Sequence, residues 1–277
     1  MALSEGDIAA SRLVSPARSG SFAQVGEVGA NSPQSARPCS AALLFELLGI
    51  TEGSTVAFTG GGGKTSLVFH LAGELAATRN RVLITTTTKM FYPGSFPGRI
   101  EIGADADGIV RAFNSERLGQ MFAAASRIEG GKVAGYDVAS LDRVSALLED
   151  AVFLIEADGA ARKPYKFYRE HEPVIPRSTT HLVHVIGAET LDAPMSAELF
   201  HRCPERLQGT PFDLRMFKKA MEWYANEKVG AFSGRKILIV NKADEGRERA
   251  AAAMREAARP YFDACFSTSL KRREWKA

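Results

Sequence analysis

Apolar positions along this 277-residue chain cluster in short unbroken runs instead of alternating with polar ones. They are Val56-Ala57-Phe58, Val82-Leu83-Ile84, Val152-Phe153-Leu154-Ile155, Leu182-Val183-His184-Val185-Ile186, Ile237-Leu238-Ile239-Val240 and, more weakly, Ala264-Cys265-Phe266. Such runs predict strands covered on both faces, as in a parallel sheet between helices. Helical spacing lies between several of them, at 66–78, 140–149, 213–226 and 245–258. A short amphipathic helix carrying Leu43, Leu44, Leu47 and Leu48 leads into the first run. This alternation predicts one α/β domain over 39–277, with three layers and a doubly wound, mostly parallel sheet. The glycine-punctuated stretch 93–136 fits an inserted hairpin and helix. Residues 1–38, rich in Ser, Ala and Gly, read as a disordered extension; a translation start placed too early would look the same.

Composition narrows the partners. A net charge of +3 is too small to argue for nucleic acid, and no run approaches the ~18 apolar residues of a membrane span. The three cysteines, Cys39, Cys203 and Cys265, are scattered and give no disulfide framework, which fits a reducing cytoplasm. Oligomeric state is not legible.

In such a sheet, ligands bind beyond the carboxyl ends of the strands, so the residues after each run carry the chemistry. After the first comes Gly60-Gly61-Gly62-Gly63-Lys64-Thr65, opening a helix. Strand, glycine-rich bend, Lys-Thr and helix make a P-loop-like phosphate cradle. The glycines let backbone N–H groups turn around an anion, and the helix N-terminus and Lys64 add positive charge. Thr65 offers a hydroxyl to Mg²⁺. Phe58 stands where the usual pattern has its first glycine, so the loop is a variant; a plain strand-to-helix turn is the simpler alternative. After the second run, Thr85-Thr86-Thr87-Thr88-Lys89 sets hydroxyls beside that loop. Thr87 and Thr88 are candidates for nucleotide or Mg²⁺ contacts, although Thr also simply favours strands.

After the third run, Glu156-Ala157-Asp158-Gly159 places two carboxylates at a strand end, where a cation would relieve their repulsion. Glu156 and Asp158 are read together as the Mg²⁺ and water-positioning pair, with Lys64 as the third catalytic group and their roles undivided. After the fifth run, Asn241-Lys242-Ala243-Asp244 has the form of a guanine reader. Asp244 would accept from guanine's N1–H and 2-amino group, Lys242 would cover the base and Asn241 would brace the loop. Asp244 as a helix cap is the alternative. GTP is favoured over ATP, and both stay open.

The segment Lys163 to Pro176, with cations, aromatics, a His171-Glu172 pair and three prolines, reads as an ordered loop over the site that meets a second substrate or partner. His181 and His184 point to opposite faces of one strand and cannot share an ion. Arg202 and Arg206 flank Cys203, an arrangement that lowers a thiol pKa, though a buried, idle cysteine is the simpler reading.

Together these motifs resemble the YqeC family, accessory proteins of selenium-dependent molybdenum hydroxylases. The resemblance spans about Phe45 to Leu270. It is carried by GGGGKT, VLITTTTKMF, LIEADGA with the following Lys163-Pro164, HEPVIP, His201-Arg202 and NKAD. It implies a cytoplasmic protein that assists a molybdenum hydroxylase client through a nucleotide-dependent step. Its expected form is a Mg²⁺-dependent P-loop NTPase. The alternatives are a nucleotide-gated client-binding module without turnover and a small-molecule phosphotransferase.

Overall fold

Residues 42–115, 119–244 and 246–277 are described by the computed structural model. The expected extension at 1–38, Cys39 and Glu245 lie outside them. The chain runs through α1 (Leu44–Leu48), β1 (Thr55–Gly60), α2 (Lys64–Ala77), β2 (Arg81–Thr86), β3 (Lys89–Phe91), β4 (Arg99–Ile102), α3 (Ala106–Ser115), β5 (Gln120–Ala124), β6 (Ser126–Ile128) and β7 (Lys132–Ala134). It continues with α4 (Val138–Leu147), β8 (Ala151–Glu156), β9 (Tyr165–Lys166), β10 (His181–Gly187) and β11 (Phe200–His201). Then come α5 (Leu214–Trp223), β12 (Arg235–Asn241), α6 (Glu248–Ala258), β13 (Ala264–Ser269) and β14 (Glu274–Lys276).

Nine strands form one sheet in the order β14-β13-β12-β10-β1-β8-β2-β5-β4. All of its pairings are parallel except β13 with β14. Each of the six apolar runs lies in one of its strands. Successive residues of a strand serve opposite faces, as the two-residue pleat demands. Val56 and Phe58 of β1 pack with Leu67, Leu71 and Leu75 of α2, along with Leu44 and Leu48 of α1. On the far face, Leu182, Ile186, Leu238 and Val240 meet Phe217, Met221 and Met254 of α5 and α6. Leu83, Phe153 and Ile155 meet α3 and α4 through Ile109, Phe113, Leu141 and Val144. The result is three layers.

The stretch 93–136 holds more than the expected hairpin and helix. Besides α3 and the β6–β7 hairpin, which pairs with β3, it supplies β4 and β5, and these extend the main sheet. Arg99-Ile100-Glu101-Ile102 is half-buried along its length because it is the sheet's edge, so its charges interrupt the apolar signal. The helix expected at 213–226 is capped by Asp213, whose side chain accepts from the Met216 N–H at 2.8 Å. It ends at Trp223, and Tyr224–Lys228 continues as a wider π turn. No helix among the described residues is long and apolar enough to cross a membrane.

Candidate functional site

Sheet register brings the polar strand ends side by side. Thr86 is opposite Glu156, Glu156 opposite Phe58, Gly60 opposite Val185, and Gly187 opposite Asn241. The glycine loop therefore sits centrally, with the acidic strand end on one flank and the Asn-Lys-Ala-Asp loop two strands away on the other.

Why this loop is glycine follows from its close contacts. Gly60 and Gly62 have φ of +89° and +66°, and a Cβ on either would run into the backbone of β10, at Val185 or at Ile186 and Gly187. Its backbone is also fastened. Gly61 N–H donates to the Val185 carbonyl at 2.8 Å and Gly62 N–H to that of Lys163 at 3.1 Å. From the other flank, Asn241 Nδ2 donates to the Gly62 carbonyl at 2.7 Å, while its Oδ1 accepts from Thr268 Oγ1 at 3.0 Å. Asn241 thus bonds directly to the glycine loop and to the strand end of β13.

The two carboxylates have different surroundings. Thr65 Oγ1 donates to Glu156 Oε2 at 2.7 Å. Burial pushes the Glu156 carboxyl above its ordinary value, opposed by Lys64 and by the Thr65 hydrogen bond. Asp158 faces cations. Its Oδ2 accepts from Gly60 N–H at 2.8 Å and lies 3.6 Å from Lys166 Nζ, and its Oδ1 lies 2.9 Å from Lys64 Nζ. Lys64 also donates to the Gly60 carbonyl at 2.5 Å, so its ammonium is folded back onto its own loop.

Lys166, a residue that sequence reasoning passed over, is as deeply placed as Asp158. Its side chain is 0% exposed, 2.9 Å from Glu172, and stacked over Tyr168. Burial pushes the ammonium below its ordinary value, against the opposing pull of Asp158 and Glu172. Glu172 in turn lies 2.5 Å from Arg202. Burial alone would raise the Glu172 carboxyl, but its bonds to Lys166 and Arg202 outweigh that and hold it at about 2. The only sequence signal for Lys166 was a lysine set among Tyr165, Phe167 and Tyr168.

Behind the loop lies a second group, in which His184, considered in the sequence only as a metal ligand, meets Thr59 and Tyr224. His184 stacks on Tyr224 at 3.9 Å, and Thr59 Oγ1 lies 3.1 Å from His184 Nδ1 and 2.6 Å from the Tyr224 hydroxyl. Burial holds His184 down to about 3, so the ring is neutral. The segment 163–176 covers the loop as expected: Val174 N–H donates to the Ala157 carbonyl at 3.0 Å and Thr87 Oγ1 to the Val174 carbonyl at 2.7 Å. Thr87 is thereby engaged with the covering segment, and Thr88 sits beside it half-buried.

In the Asn241 loop, Asp244 Oδ2 accepts from Ser269 Oγ at 2.9 Å, and Lys242 pairs with Glu189. No group of three or more His, Cys, Asp or Glu that could hold a metal occurs among the described residues. Cys203 follows the simpler reading of an idle cysteine and not that of a lowered thiol: burial raises it, and Arg202 is turned toward Glu172. The surface concavities lined by Arg259, Phe262 and Cys265 and by Arg99, Glu101 and Arg111 lie away from the glycine loop.

A three-layer protein with a mostly parallel sheet, whose glycine-rich turn, acidic strand end and Asn-Lys-Ala-Asp loop lie together at the carboxyl ends of its central strands, is the class defined by this architecture. Within it, the chain belongs to the YqeC family, whose family model, described as YqeC protein, matches residues 56–204. A relative from Escherichia coli (strain K12), described as uncharacterized protein YqeC, is 37% identical over 169 residues, or 58% of this chain. The match spans 62% of that relative's length. The family match takes in the glycine loop, both carboxylates and Arg202, and ends before Asn241.

Proposed function

We propose that this chain is a P-loop nucleotide-binding protein that takes a Mg²⁺–nucleoside triphosphate, GTP ahead of ATP, and hydrolyses it while assisting maturation of a selenium-dependent molybdenum hydroxylase. One observation carries the nucleotide reading: Thr65 Oγ1 and Glu156 Oε2 stand 2.7 Å apart at the start of α2, next to Lys64. Two oxygens on adjacent positions of an octahedral ion with bonds of ~2.0–2.1 Å would stand about 2.9 Å apart, so this pair suits Mg²⁺. The client is an inference from family resemblance.

The residues divide the work as follows. The first N–H groups of α2 have no partner within the helix and offer donors to phosphate oxygens, aided by the helix dipole. Lys64, leaving the Gly60 carbonyl, adds a charge-assisted contact. Thr65 and Glu156 would hold Mg²⁺, which supplies neutralisation of charge developing on the phosphates. Asp158, bonded to Gly60 N–H and flanked by two ammonium groups, orients Lys64 instead of holding the ion. Asn241 fixes Gly62, and Asp244, held by Ser269, turns its remaining acceptor capacity toward a guanine edge.

A second reading, a nucleotide-gated binding module without turnover, draws support from the covering segment, because Lys163 and Val174 bond directly to the loop and strand end. Phosphate release from GTP and ATP by the full chain, with Mg²⁺ and with EDTA, tests both. Mg²⁺-dependent release that falls in Thr65→Val and Glu156→Gln is the expected result. Binding without release leaves the second reading, and neither binding nor release refutes the site.

A further inference from the structure

Five charged groups of alternating sign run from the glycine loop into the segment that covers it. Lys64 lies 2.9 Å from Asp158, and Lys166 lies 3.6 Å from Asp158 and 2.9 Å from Glu172. Arg202 closes the series 2.5 Å from Glu172. The side chains of Asp158 and Lys166 are both 0% exposed, so water cannot substitute for a lost partner at either. Lys166 is off-centre between its two carboxylates and closer to Glu172. Asp158 currently relies on Lys64 as its nearer cation.

This arrangement leaves a problem that a bound phosphate would create. A triphosphate at the start of α2 draws Lys64 away and leaves buried Asp158 with only the more distant Lys166, at 3.6 Å, as its cation, a weakened pairing that is costly in a site closed to water. We propose that Lys166 is a positioning residue that moves onto Asp158 when Lys64 turns to phosphate, and that the exchange loosens Glu172 and Arg202 in the covering segment. The inference rests on the nucleotide reading of the site. The consequence extends along local connections. Lys166 and His201 are register partners in the two-stranded β9–β11 sheet, and Arg202 follows directly. Glu172 also accepts from the Arg169 N–H at 3.2 Å, and Lys228 donates to the carbonyls of Arg169 and Glu170 at 2.6 and 2.7 Å. The covering turn is thus tied to the same carboxylate that Lys166 would relax, and the surface around Arg169, Glu170 and Arg202 would report the state of the loop.

The test uses opposite signs from the two ends of one ion pair. Glu172→Gln frees Lys166 to serve Asp158, so Lys64 is released at lower cost and Mg²⁺–GTPγS binds more tightly. Arg202→Gln leaves Glu172 with Lys166 as its nearest cation, strengthens that grip and weakens binding. Coupling within such networks sets a scale of about three- to tenfold in Kd for each. Either substitution breaks the same contact, so a purely structural role would weaken binding in both. Calorimetric titration of the full-length wild type and both variants with Mg²⁺–GTPγS is the measurement. Opposite shifts support the exchange; shifts of the same sign, or none, overturn it while leaving the nucleotide reading in place. Should Glu172→Gln not fold, Glu172→Asp, whose shorter side chain also slackens the hold on Lys166, takes its place beside Arg202→Gln: opposite shifts again support the exchange, and shifts of the same sign, or none, overturn it. A wild type that binds no nucleotide refutes both.

Discussion

The side-chain amide of Asn241 donates to the Gly62 carbonyl at 2.7 Å, joining the loop after β12 to the glycine turn after β1 across 179 positions of sequence. Its carbonyl accepts from Thr268, so one amide clamps three strand ends together. Asn241→Ala leaves the Gly62 carbonyl and the Thr268 hydroxyl buried without that partner, a cost of about 1–3 kcal/mol. Urea denaturation should show that loss, accompanied by weaker nucleotide binding. Unchanged stability would mean that the clamp is incidental.

Acid should dismantle the covering segment through Glu172. Its carboxyl is lowered from 4.5 to about 2 in the folded chain by its bonds to Lys166 and Arg202, which outweigh burial. A carboxyl lowered on folding contributes stability that is present above its unfolded value and lost as pH falls through its folded one. Glu172 therefore stabilises the fold fully above about pH 5, by at most roughly 3 kcal/mol, and progressively less toward about pH 2. Denaturant midpoints of the wild type and Glu172→Gln should differ most near pH 6, draw closer as pH falls below about 4.5, and converge only toward about pH 2. A gap that stays constant over that range contradicts the assignment.

Much of the sheet was legible because its central strands are buried on both faces. Val152 to Ile155 and Ile237 to Val240 needed no alternation to be read as strands, and the polar residues after them marked the site. The edge was not legible, since the half-buried Arg99 and Glu101 of β4 break the apolar run. Glycines at 60–63 announced a tight turn, but the contacts that require Gly60 and Gly62 come from β10, more than a hundred residues on. Lys166 escaped notice for a physical reason. Lysine is seldom fully buried, and only the folded chain shows the carboxylates of Asp158 and Glu172 on either side of it. The Glu172–Arg202 pair spans thirty positions and left no local pattern.

Base preference should depend on Asp244. Ser269 Oγ donates to Asp244 and accepts from the Arg272 N–H at 3.2 Å, so an asparagine at 244 would keep its oxygen toward Ser269 and turn its NH₂ toward the base. That group opposes guanine's donors, and a site built on matched hydrogen bonds rejects such a mismatch strongly. Wild type should prefer GTP to ATP, and Asp244→Asn should lose GTP and favour xanthosine triphosphate, which has a carbonyl where guanine has an amino group. Competition among the nucleotides checks this. ATP preference in the wild type, or an unaltered preference in the variant, removes the guanine reading.

The central claim is that the start of α2, where the glycine turn ends, holds phosphate with the help of Lys64. Its ammonium is within reach of the loop, bonded to the Gly60 carbonyl at 2.5 Å and to Asp158 at 2.9 Å. Lys64→Ala removes a charge-assisted contact of about 1.5–3 kcal/mol, which corresponds to a roughly ten- to hundredfold loss of triphosphate affinity. Titration calorimetry of Mg²⁺–GTPγS into the wild type and Lys64→Ala is the most direct measurement. Saturable binding by the wild type, reduced by that factor in a variant whose circular dichroism is unchanged, is the predicted result; equal affinity in the two proteins, or no binding by the wild type, contradicts it.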